Sequence, residues 1–139
     1  MIRIVPDTNI VVSGYRYGGN EYELLKAIHK REVVAYTSKE ILGEIERVLN
    51  YPKLKIQLGD QKKIIEDFIN KTKIVNPTQE ILAVKDDTTD NKFIECAAEA
   101  KAHYIVSGDK HLLKIHAYKN IKIVKTKELL TLLKQEHKL

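Results

Sequence analysis

The sequence predicts an α/β protein, a mostly parallel sheet covered by helices on both faces. Three observations lead there. Short apolar runs with strand character alternate along the chain with longer runs of helical period, and that alternation is the mark of parallel α/β layering. Two aspartates, Asp7 and Asp109, directly follow strand-like runs, where such sheets keep their ligand sites. No repeat, low-complexity tract or linker interrupts the 139 residues. One domain over residues 1–139 is expected, long enough to bury a core of its own.

Ile2-Arg3-Ile4-Val5 opens the chain as a strand, and Pro6 and Asp7 close it. Residues 20–30 have a helical pattern, and Val33-Val34-Ala35-Tyr36 reads as a second strand. Thr37 or Ser38 is placed to cap a helix running to about Asn50, with Glu40 in position for a capping box from Thr37. Pro52 ends it. Residues 60–71 read as an amphipathic helix, followed by a short strand at Lys73 to Val75. In the second half, Asp90 to Ala102 reads as a helix and Tyr104-Ile105-Val106 as a strand, and Asp109 starts a short helical turn. Ile121-Lys122-Ile123-Val124 is the last strand, and Leu129, Leu130, Leu132 and Leu133 form the apolar stripe of a closing helix.

Composition narrows the classes. Hydrophobic residues at 43% and charged residues at 31% describe an ordinary soluble globular chain. The first apolar run meets Pro6 and Asp7 too soon for a signal peptide or a membrane span. A lone cysteine, Cys96, cannot form an internal disulfide, which fits a reducing cytoplasm. The net charge of +5 is unevenly placed. Residues 110–139 hold eight lysines against Glu128 and Glu136, a balance of +6, while residues 1–109 hold 16 basic and 17 acidic residues, a balance of −1. Such an end attracts polyanions such as nucleic acid, with Lys119, Lys122 and Lys125 as candidate contacts; the competing reading is a solvated lysine surface.

Asp7 and Asp109 also suit plain turns or helix N-caps. Asp90 is more telling. The helix after it buries Phe93, Ile94, Ala97 and Ala98, and at roughly 100° per residue Asp90 projects onto the middle of that stripe. An aspartate facing the core is expensive without a compensating partner. The helix dipole offers some relief, and a cation offers more. In the helix running to about Asn50, Glu44 and Glu46 flank the Ile41, Leu42, Ile45, Val48, Leu49 stripe on opposite sides, each about 100° from its centre, so periodicity leaves either free to reach inward. Carboxylates gathered in one cleft repel unless a counter-ion joins them, and hard oxygen donors suit Mg²⁺ or Mn²⁺. A metal so held activates water and neutralises charge developing on a phosphodiester. The five histidines show no zinc spacing, Cys96 sits near the buried stripe as a core residue, and no phosphate loop or GxGxxG is present.

Val5-Pro6-Asp7-Thr8-Asn9, Ser38 through Glu44-Ile45, Asp87-Thr88-Thr89-Asp90-Asn91-Lys92-Phe93 and Ile105-Val106-Ser107-Gly108-Asp109-Lys110-His111-Leu112-Leu113 together resemble a PIN domain, across essentially the whole chain. The branch it is most like is the stand-alone prokaryotic one, described as the toxin of VapC-like toxin–antitoxin pairs. The resemblance implies a three-layer α/β/α fold with strand order 3-2-1-4-5. It implies metal-dependent cleavage of single-stranded RNA by Asp7, Glu44, Asp90 and Asp109, which favours Glu44 over Glu46. Asn9 and Ser107 match positions that support the acids by hydrogen bonding. An antitoxin partner and a homodimer are further implications, the dimer also because a small domain gains buried area. Two positions depart from the family pattern: His111 stands where some relatives carry another acid, and Asn91 and Lys92 follow Asp90 where well-studied toxins have small apolar residues. They bear on substrate and toxin status. The rival from another class is an RNA- or partner-binding module with this fold and negligible turnover. An aspartyl-phosphate phosphohydrolase built on Asp7 is disfavoured, because Asn9 stands where that chemistry needs a second aspartate.

Overall fold

The computed structural model describes residues 1–85 and 88–137, so Asp87 of the third motif lies outside the described residues. The strands are β1 (Arg3–Pro6), β2 (Val34–Thr37), β3 (Lys73–Ile74), β4 (Tyr104–Val106), β5 (Ala117–Tyr118) and β6 (Ile121–Val124). The helices are α1 (Thr8–Arg16), α2 (Asn20–His29), α3 (Lys39–Leu49), α4 (Leu58–Lys71), α5 (Asn91–Ala100), α6 (Lys110–Ile115) and α7 (Thr126–Glu136), with 3-10 turns at Pro52–Leu54 and Thr88–Asp90.

One sheet runs in the order β3-β2-β1-β4-β6-β5. Every pairing is parallel except β5 with β6, which is antiparallel. The five strands expected from the sequence therefore take the order 3-2-1-4-5, with Ile121–Val124 as the fifth. A two-residue strand, which the sequence reading had not anticipated, is added at that edge.

Successive side chains on a strand point to opposite faces, and the core divides accordingly. Val5, Ile105, Ile121 and Ile123 pack with α3, α4 and α5 on one face; Ile4, Ala35, Val106 and Val124 pack with α2 and α7 on the other. This is the three-layer sandwich expected. α1 serves both clusters, with Ile10 in one and Val11 and Val12 in the other. Its contact with α2 is close: a Cβ on Gly14 would lie 2.6 Å from Leu25 Cδ1 and 2.9 Å from the Glu21 carbonyl. Only glycine lets the two helices approach this far. Among the described residues, no helix is long and apolar enough to cross a membrane.

The order places β1 between β2 and β4. The chain leaves β1 toward β2 on one side and returns as β4 on the other, so the switch point lies beyond the carboxyl ends of β1 and β4, the place for ligands in such sheets.

Candidate active site

Asp7 and Asp109 follow those two strands and meet at the switch point. The Asp7 amide donates to the Val106 carbonyl at 2.9 Å, continuing the β1–β4 ladder past Pro6. Asp7 is 3% exposed and caps α1, its Oδ1 accepting from the Ile10 amide at 2.9 Å. The Ser107 hydroxyl donates to Asp7 Oδ2, and Ser107 Oγ accepts from the Asp109 amide at 2.9 Å. Ser107, itself fully buried, thus ties the two aspartates through one oxygen. Asp109 caps α6, its Oδ2 accepting from the amides of His111 at 3.0 Å and Leu112 at 3.1 Å.

The other two acids come from helices. Asp90 is buried in the 3-10 turn that leads into α5, and it makes no side-chain capping bond to that helix. Its core-facing placement agrees with the helical period, and α5 opens at Asn91. Glu44 is 26% exposed at its side chain and turns toward α5, whereas Glu46 on the opposite flank is exposed. Glu44 Oε2 lies 2.7 Å from Lys92 Nζ. Lys92 is only 5% exposed; its ammonium also donates to the Thr89 carbonyl and stands 5.0 Å from the Phe93 ring centre.

Burial drives the Asp7 carboxyl up to about 6 from the ordinary 3.8. The hydrogen bonds from Ser107 and Ile10 oppose that rise, and the charges of Asp109 and Glu44 add to it. Asp109 and Glu44 are therefore close enough to act on Asp7, and the desolvated charge is only partly offset by its donors. Hard, like-charged carboxylates that are partly out of water and feel one another's charge suit a divalent cation in kind and in charge. Among the described residues, no three His, Cys, Asp or Glu side chains stand close enough together to hold one ion. Asp7 and Asp109 lean on helix amides, and Glu44 leans on Lys92.

Other expected residues are placed as follows. Asn9 is exposed on the first turn of α1, and among the described residues no side-chain hydrogen bond joins it to the acids. The supporting hydrogen bonds come instead from Ser107. Lys119, Lys122 and Lys125 are all exposed but do not gather at the site. Lys125 immediately follows the carboxyl end of β6, level with Ser107 beyond β4, as the bond from the Ser107 amide to the Val124 carbonyl shows. Lys122 is level with Tyr104 near the other end of the sheet, and Lys119 lies in the turn before it. Cys96 is buried in the core as expected, and burial pushes its thiol up to about 12. Thr37 and Ser38 had both been candidate caps for α3; Ser38 takes the role, its Oγ accepting from the Ile41 amide at 3.3 Å. The sequence marks Lys92 as a departure from the family pattern but does not foretell its burial or its pairing with Glu44. At roughly 100° per residue it falls opposite the buried stripe of α5, so the periodicity carried no sign of its burial.

Comparison with known proteins agrees with this geometry. The PIN domain family profile matches residues 3–111. The uncharacterised protein MJ1680 of Methanocaldococcus jannaschii is 36% identical over 118 residues, 82% of this chain and 75% of that protein. Among solved structures, PAE2754 of Pyrobaculum aerophilum superposes with a TM-score of 0.65 at 16% identity, covering 96% of this chain and 90% of that one. VapBC2 of Rickettsia felis, bound to a DNA fragment from its promoter, superposes with a TM-score of 0.63 at 13% identity, covering 88% and 97%.

Proposed function

This chain belongs to the PIN domain family, and we propose that it is a divalent-metal-dependent ribonuclease that hydrolyses single-stranded RNA. The observation that carries the reading is the junction at Ser107. One hydroxyl group orients Asp7 and holds the amide of Asp109, so two acids from neighbouring strands share one corner of a buried, charge-strained cleft. Plain N-capping needs neither that shared oxygen nor the burial of Asp90 one helix away.

In this reading Asp7, Asp90 and Asp109, with Glu44, hold Mg²⁺ or Mn²⁺. When bound, the ion supplies positive charge that makes a water molecule nucleophilic and neutralises charge on the phosphodiester. The chain supplies the rest. Ser107 fixes the Asp7 rotamer, helices α1 and α6 fix Asp7 and Asp109 through their amides, and the packing of α3 against α5 brings Glu44 to the cleft. Water adds to phosphorus in line with the departing 3′ oxygen, leaving a 5′-phosphate and a 3′-hydroxyl. Exposed Lys110 and Lys125 flank the site end of the sheet and suit the RNA backbone. The likeness to VapBC2 is the reason to include an antitoxin partner, and a homodimer, in a cytoplasmic setting, completes the proposal.

The competing reading, an RNA- or partner-binding module, has one observation on its side: Glu44 is already ion-paired with Lys92. A single assay separates the two. Purified protein should cleave single-stranded RNA with Mn²⁺ or Mg²⁺ and stop with EDTA. Tight RNA binding without cleavage under either metal would leave the binding module.

A further inference from the structure

The residue that stands out is Lys92. A lysine ammonium is strongly hydrated, and burying it is unfavourable unless its charge and its donors are matched. Here they are. Glu44 Oε2 lies at 2.7 Å, the Thr89 carbonyl accepts a second bond, and the Phe93 ring takes a third side. The side chain is 5% exposed, so the ammonium is fixed between the start of α5 and the middle of α3. Lys92 lies two residues after Asp90 and pairs with Glu44 directly, so a fixed positive charge sits against one of the proposed acids.

We propose that Lys92 is a tethered counter-ion that competes with the divalent cation for Glu44, so that the ion is held chiefly by Asp7, Asp90 and Asp109, and weakly. The inference rests on the reading of the site as a metal centre and adds a division of labour within it. Lys92 is a positioning residue. It keeps Glu44 inside the cleft when no divalent ion is there, and it opposes the ion by charge and by occupying a ligand oxygen. Replacing a buried pair with apolar groups is often neutral for stability, while removing one partner is costly. The stability of the fold therefore gives little reason for this pair, and control of the cation gives a direct one.

The experiment is calorimetric titration of the whole protein with Mn²⁺, supported by thermal melts in EDTA. Lys92→Met keeps the stem and removes the charge. It should lower the melting temperature in EDTA yet tighten Mn²⁺ binding by roughly tenfold or more, the direction expected when a unit charge is withdrawn from within a few ångströms of a cation. Lys92→Arg should bind Mn²⁺ like wild type. Glu44→Gln/Lys92→Met, which removes both partners and guards against misfolding of the single variant, should bind Mn²⁺ more weakly than Lys92→Met, because freed Glu44 is what the single variant gains. A purely structural lysine predicts lost stability with unchanged or weaker Mn²⁺ affinity in Lys92→Met, and that result overturns the proposal while leaving the nuclease reading in place. Wild type that binds no Mn²⁺ at millimolar concentration, and that cleaves no RNA, overturns both.

Discussion

The proposed site draws on two kinds of acid, and they are held in different ways. Asp7 and Asp109 end strands, cap helices α1 and α6, and lean on backbone amides within three residues of themselves. Asp90 and Glu44 are carried by helical turns from elsewhere in the chain, and no capping bond holds either. Glu44 is positioned by an ion pair to a residue 48 places on. The strand-end acids thus cap helices as well as serving the proposed site, whereas neither Asp90 nor Glu44 caps a helix. Stability and activity should separate along this line.

The largest effect belongs to the helix-borne side. Asp90→Asn should lose about a thousandfold in metal-dependent RNA cleavage, corresponding to several kcal/mol of transition-state stabilisation. Glu46→Gln should stay close to wild type, because Glu46 is exposed on the far flank of α3. Initial rates on a labelled single-stranded RNA with Mn²⁺ decide both. Should Glu46→Gln be inactive and Glu44→Gln active, the cleft has been assembled around the wrong glutamate.

A second effect lies on the strand-end side and is one of stability. The Asp7 carboxyl titrates near 6 in the folded protein against the ordinary 3.8. The folded state therefore holds this proton more tightly than the unfolded chain does. Below about pH 4 both states are protonated and no penalty exists; from about pH 4 to 6 the unfolded chain ionises while the buried carboxyl keeps its proton, so stability falls, by about 3 kcal/mol in EDTA, and it levels off once the pH has passed 6. Asp7→Asn can still accept from the Ile10 amide and should remove most of that slope. Mn²⁺ at about a hundred times its dissociation constant should return about 2.7 kcal/mol to wild type near neutrality. Denaturant midpoints at pH 4, 5, 6 and 7 carry the test, and an equal slope in Asp7→Asn would place the strain on another residue.

The same contrast explains what the sequence could reveal. Strand ends are legible because a short apolar run followed by Asp marks both the element and the position, and β1 and β4 were found that way. The layering and the core-facing Asp90 follow from local periodicity, whereas the order of the five strands came only from the resemblance to the PIN family. What escaped depends on packing between distant segments. α1 was missed because Ile10-Val11-Val12-Ser13-Gly14 is β-branched and glycine-bearing, a poor helix former by itself. The Asp7 cap and two core faces make it a helix. The burial of Lys92 was not foreseen because α5 is covered on more than its apolar stripe. The Asn91 carboxamide oxygen accepts from the Val84 amide at 2.6 Å, Glu95 accepts from the Ile81 amide at 2.9 Å, and α3 closes over Lys92 itself. Lys119, Lys122 and Lys125 are close in sequence, but Lys119 precedes β6, Lys122 lies on it and Lys125 follows it, so the rise of about 3.3 Å per strand residue spreads them along the sheet.

The smallest effect tests the division between the two kinds of acid most directly. Asp109 and Asp90 each precede a helix, but only Asp109 accepts from the amides that follow, at 3.0 and 3.1 Å. Replacing either by Asn or by Ala removes the same charge, so relief of repulsion on Asp7 is common to both variants at a position and cancels in their comparison. What remains is the cap. Asn can accept an amide hydrogen bond and Ala cannot, a difference of about 1 kcal/mol at an N-cap. Asp109→Ala should therefore be less stable than Asp109→Asn by about that amount, while Asp90→Ala and Asp90→Asn should differ by far less. All four should fail to cleave RNA, so activity cannot supply this information and equilibrium unfolding in EDTA must. If the two Asp109 variants unfold together, the strand-end acid is held by Ser107 alone and capping adds nothing. If the Asp90 variants separate as widely as the Asp109 pair, Asp90 is a structural cap and its place in the cleft is secondary.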